Sequence, residues 1–68
     1  MKWKIVGYII IDEHGRPFAP DENGDLWVYN GPSAYLFDTR RKANGALRRN
    51  NEKWPELFSR AMVSRVVK

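Results

Sequence analysis

Cysteine is absent from these 68 residues. With it go the disulfide framework on which small secreted domains lean and any thiolate metal site. The expectation is therefore a protein that works inside a cell, in the cytoplasm. Histidine occurs once, as His14 in the stretch Asp12-Glu13-His14-Gly15, and no second imidazole exists to complete a metal site. It reads as a turn residue, and no metal or cofactor is expected. Long apolar runs are lacking too, since nothing approaches the roughly 20 residues that cross a bilayer. The opening MKWKIVGYIIIDEHG has a basic start and an apolar middle, but Gly7 and Tyr8 interrupt it and no small-residue cleavage site follows. It reads as a strand of the fold. Asn30-Gly31-Pro32-Ser33 has neither the spacing nor the lysine of a phosphate loop, and Ser33, Ser59 and Ser64 lack a glycine-rich nucleophile elbow. No enzyme activity is expected.

Acidic residues are scarce in one half only. Residues 1–37 carry three basic and five acidic side chains, whereas residues 38–68 carry nine basic and three acidic ones. The net charge of +4 thus conceals a neutral-to-acidic front and a strongly basic back. An aromatic content of 13% and a hydrophobic content of 43% place the chain among folded proteins rather than disordered tails. Its length allows a single domain, 1–68, with one modest core.

The pattern along the chain predicts an α+β fold: an antiparallel sheet of three to four strands with one helix packed on one face, in the order β-β-β-α-β. Residues 2–11 alternate with period two, Trp3, Ile5, Ile9 and Ile11 on one side and Val6, Tyr8 and Ile10 on the other, which predicts a long first strand. Pro17 and Pro20 leave room for only a brief second strand over 16–19. Asn23-Gly24 predicts a type I′ hairpin turn into a strand at 26–29. The alternative reading of Asp21, Asn23 and Asp25 as calcium ligands breaks down at Leu26, where a glycine belongs, and at Pro32, where a glutamate belongs. Thr39, or failing that Asp38, supplies an N-cap for a helix in which Ala43, Ala46 and Leu47 form a thin apolar stripe. Asn50-Asn51 is expected to end it. Residues 62–67 read as the last strand. Residues 55–62 are open between strand and a second helix with Pro55 at its first position. The expected core is Trp3, Ile5, Ile9, Ile11, Trp27, Leu36, Phe37, Ala43, Leu47, Val63 and Val66.

The helix itself is the one functional signal. No acid occurs between Thr39 and Asn51, and like charges one turn apart cost a few tenths of a kcal/mol per pair. Gly45 stands inside the helix, where alanine is better by about 1 kcal/mol. The bland alternative is a solvated face with the aromatics in the core. The functional reading is a partner-binding surface of Arg41, Lys42, Arg48, Arg49, Lys53 and Trp54, and its partner is either an acidic protein surface or a nucleic acid. A first strand apolar on both faces further predicts a homodimer, or a partner, through that strand.

The stretches AYLFDTRRKANGALRRN and MVSRVVK resemble a pattern found among small orphan proteins of bacteriophages and mobile elements. In these a hairpin or meander leads to an apolar residue, Ser or Thr, a helix with spaced alanines and a last strand ending in Val-x-x-Val. The matching positions are Phe37, Thr39, Ala43, Ala46, Leu47, Val63 and Val66. The resemblance implies a phage-type accessory protein or inhibitor that occupies a surface of a host protein. Inhibitors that mimic nucleic acid are strongly acidic, and this chain is basic.

Overall fold

A computed structural model describes residues 4–31 and 34–68. Its elements are β1 (Ile5–Ile11), β2 (Phe18–Pro20), β3 (Leu26–Val28), α1 (Arg40–Lys53), α2 (Pro55–Phe58) and β4 (Met62–Val67). The class is α+β, but the expected single sheet is two two-stranded antiparallel sheets, β1–β4 and β2–β3. The cause is Pro17. It lacks an N–H, so β1 and β2 join only through a bridge at Ile11 and Pro17, and the Pro17 carbonyl turns instead to the Tyr29 N–H at 2.9 Å.

The β1–β4 ladder runs from Ile11–Met62 to Ile5–Val67 with an irregularity between Ile5 and Gly7. On its other edge, β1 pairs once more: Tyr8 and Phe37 exchange two backbone hydrogen bonds, of 3.0 and 2.8 Å. Gly7 permits this approach, because a Cβ there would stand 3.1 Å from Leu36 Cβ and 3.2 Å from the Phe37 carbonyl.

Both hairpin turns use one device. Asp12 and Asp21 each exchange backbone bonds around a three-residue loop whose last member, Gly15 or Gly24, has φ of +81° or +84°. Each aspartate also accepts two backbone N–H bonds on Oδ1, from His14 and Arg16 at 2.9 and 2.8 Å and from Asn23 and Asp25 at 2.9 and 3.0 Å. The second turn is therefore a type I turn closed by a left-handed glycine, not the expected type I′. A type I′ turn needs positive φ at Asn23, and among the described residues only glycines have it.

Thr39 caps α1 as expected, its Oγ1 accepting the Lys42 N–H at 3.1 Å. The helix does not stop at Asn50-Asn51. Asn50 is 2% exposed and serves as a peg between α1 and the β2–β3 hairpin. Its Nδ2 donates to the carbonyls of Ala46 and Gly24 at 2.8 and 3.1 Å, and its Oδ1 accepts the Leu26 N–H at 2.9 Å. A buried amide with every group satisfied strengthens the helix rather than ending it. Termination falls to Pro55, which opens α2 at its first position. Residues 55–58 are thus helix, and the strand begins only at Met62.

The core consists of Ile10, Phe18, Leu26, Phe37, Ala43, Ala46 and Phe58, with Tyr8, Leu47, Ala61 and Val63 packed against it. Phe58 meets Phe18 at 5.2 Å between ring centroids. The expected core was right at Phe37, Ala43, Leu47 and Val63. It was wrong about the face of β1: Ile10 is fully buried, while Ile5 is exposed and Ile9, Ile11 and Val66 are only half-buried. Trp27 and Leu36 are exposed as well, and Trp3 lies outside the described residues. Either face of β1 is apolar enough to enter a core, so alternation alone does not choose. The choice falls on the face that keeps its side chains at Tyr8 and Ile10, because Gly7 leaves a gap in the other. No helix of the described residues is long and apolar enough to cross a membrane.

Candidate functional site

Of the six residues expected to form one partner surface, four line one groove and two do not. Arg41, Lys42, Arg48 and Arg49 line a shallow groove between α1, the hairpin tip at Gly24 and the segment around Tyr35. Trp54 lines a different, larger groove, and the two grooves share no lining residue. Lys53 lines neither. Its Nζ sits 3.2 Å from Asp25 and 5.3 Å over the Trp54 ring, so it braces the turn between α1 and α2.

The larger groove, of about 820 Å³, runs between the β2–β3 hairpin and α2. Phe18, Leu26 and Phe58 reach its wall from the core, and Trp27, Trp54 and Leu57 project along it, exposed by 63%, 38% and 67%. Trp27 does not swing freely, since its indole Nε1 donates to Asp21 Oδ2 at 2.9 Å. The indole bond is the main reason that the Asp21 carboxyl is held below the ordinary carboxylate range. Desolvation opposes it, and the backbone N–H groups of Asp25, Asn23 and Gly24 add to it. At the far rim, desolvation pushes the Asp12 carboxyl up, but hydrogen bonds from the Arg16 backbone and guanidinium and from the His14 N–H outweigh it, and the net shift is downward. Arg16 Nε lies 2.7 Å from Asp12, and Arg60 reaches Glu13 at 2.9 Å, so these four rim charges are paired, while Glu56 on α2 makes no ion pair among the described residues.

His14 lies on the rim turn, 3.7 Å from Glu13 and well exposed. Among the described residues no group of three His, Asp or Glu side chains stands close enough to hold a metal ion.

The smaller groove is electrically unlike the first. Arg41 and Lys42 precede Gly45 by four and three residues, and Arg48 and Arg49 follow it by three and four. On a helix these are the four neighbours of position 45. No acidic residue lines the groove. Lys42 has a long pair with the exposed Asp38 at 3.5 Å, and Arg41, Arg48 and Arg49 make no ion pair among the described residues. Nothing lies within 4 Å of where a Gly45 Cβ would stand. Packing therefore does not require glycine there, and its helix cost of about 1 kcal/mol is not recovered inside the fold.

Sequence reasoning missed Trp27 and Leu57 as surface residues. Trp27 reads as core in a short apolar strand, and Leu57 lies in a stretch whose helical state was open. The symmetrical spacing R-K-x-x-G-x-x-R-R was legible, and it marks the smaller groove.

No family model, no curated protein and no solved structure matches this chain.

Proposed function

We propose that the protein is a non-enzymatic binding module that docks on another protein through the Trp27–Trp54 groove. The observation behind this reading is the pair of exposed tryptophans beside Leu57, one of them locked in place by Asp21. Contiguous exposed apolar surface on a small domain marks an interaction site. Tryptophans at such sites contribute most of the binding energy in a few contacts. Holding Trp27 in advance removes part of the ordering cost of docking. The pairing of Asp12 with Arg16 and of Glu13 with Arg60 along the rim favours a partner that presents an apolar ridge over one that presents a single sign of charge. The resemblance of residues 34–50 and 62–68 to small phage and mobile-element proteins agrees with a host protein as the partner, and with inhibition by occupying its surface.

The test is capture from nuclease-treated host lysate, identification of the retained protein, and titration of that purified protein. Trp27→Ala and Trp54→Ala should each weaken binding by about 2 kcal/mol or more, roughly thirtyfold. Arg48→Ala should leave it nearly unchanged. Retention of the same protein at parental affinity by both tryptophan variants would sink the proposal.

A further inference from the structure

We infer that the smaller groove is a second, independent site, and that it takes the sugar–phosphate backbone of a single-stranded nucleic acid. Four cations surround one glycine, and no acid lines the groove. At that glycine a side chain would enter open space rather than clash with the fold. The vacancy is useful only to something outside the chain that must come close to the helix backbone. A phosphodiester has the necessary shape and charge. With no Cβ at Gly45, it can settle onto the α1 surface between Arg41 and Arg48, within reach of both guanidinium forks. The Arg49 guanidinium lies 4.0 Å from where a Gly24 Cβ would stand, so it leans toward the hairpin tip and lengthens the track.

The wall of the groove points to a single strand. Tyr35 lines it, 42% exposed, with its ring propped edge-on against Phe37 at 5.0 Å and 73°. A basic track with an aromatic wall holds unpaired bases by stacking while cations follow the backbone.

The decisive variant is Gly45→Ala. It removes no charge and no contact, and it supplies a better helix former, so its melting temperature should rise. Its affinity for a fluorescent single-stranded oligonucleotide should nevertheless fall at least tenfold. A helix that is merely well solvated gains stability without that loss. Arg48→Gln provides an independent check, since removing one phosphate contact should flatten the slope of log K against log salt by about 0.7. Tyr35→Ala should weaken binding without changing the slope. Competitors separate the sources of negative charge: unlabelled single strands should displace the probe, while duplex DNA, inorganic phosphate and polyglutamate at equal charge should not. Parental affinity in Gly45→Ala, an unchanged slope in Arg48→Gln, no binding at all, or displacement by polyglutamate as readily as by oligonucleotide would each overturn the assignment. Trp27→Ala should bind the oligonucleotide as the parent does, so failure of the protein-docking reading does not carry this one with it.

Discussion

Single residues in this small domain hold several jobs at once, and Asp21 is the clearest case. One carboxylate oxygen closes the second hairpin turn through two backbone N–H groups. The other fixes the exposed indole of Trp27. Both jobs need the ionised form, which is why the Asp21 carboxyl sits below its ordinary range. A carboxyl whose folded pKa is depressed stabilises the fold fully above its unfolded value, and that contribution is lost as pH falls through the folded one. Acidification through and below the ordinary carboxylate value of about 4 should therefore lower the melting temperature and raise the mobility of the Trp27 ring. Asp21→Asn should be less stable at neutral pH and should lose less on acidification. Fluorescence-detected melts across that range provide the check, and parallel curves for parent and variant would contradict this account. The turn at Asp12 has the same construction, which shows that Asp-Glu-x-Gly was a repeated local signal in plain view at 12–15 and 21–24.

At the scale of the element, β1 teaches the most. Both of its faces are apolar, so its alternation identifies a strand without saying which side meets the helix. The fold places Ile10 at 0% exposure, opposite Val63, and leaves Ile9 opposite Ser64 on the other face. Ile10→Ala should accordingly cost about 2–5 kcal/mol, enough to unfold much of so small a domain, and Ile9→Ala less than half as much. Urea midpoints for the two variants test this directly, and equal losses would show the face to be misassigned. α1 shows the complementary problem. Its cap at Thr39 and its Ala43–Ala46–Leu47 stripe were readable from spacing. Its true end was not, because Asn50 looks like a terminator by propensity and becomes a buried peg only when Leu26 and Gly24 arrive from the hairpin.

For the molecule as a whole, the charge asymmetry resolves into two separate surfaces. The basic half supplies the groove around Gly45, and the tryptophans lie in another groove whose rim holds the Asp12–Arg16 and Glu13–Arg60 pairs. A third surface is the face of the β1–β4 sheet turned away from α1. Alternation brings Ile9, Ile11, Met62 and Val66 to it, with Leu36 beside Gly7; Met62 and Leu36 are exposed there, and the other three are half-buried. We propose this face for the homodimer expected through the first strand. The edges of β1 are already engaged, by β4 on one side and by Phe37 and Pro17 on the other, which leaves the face. Sedimentation equilibrium should show a dimer that Met62→Lys, at an exposed position, dissociates without lowering the melting temperature of the protomer. A strict monomer at every concentration would remove the proposal.

Local signals needed nothing beyond the chain itself. The α+β class, the strand at 62–67, the cap at Thr39, the glycine turns and the one-signed helix all follow from neighbours within a few residues, because backbone sterics, capping and charge repulsion act over that range. Tertiary structure decided what those signals left degenerate. Two apolar faces of β1 became one core face and one open face once Gly7 admitted Phe37 alongside. Trp27, expected in the core, is surface because Phe18, Leu26 and Phe58 occupy the interior. A core this small has room for few large rings, and which of them distant elements bring into it is not written in the spacing of any one element.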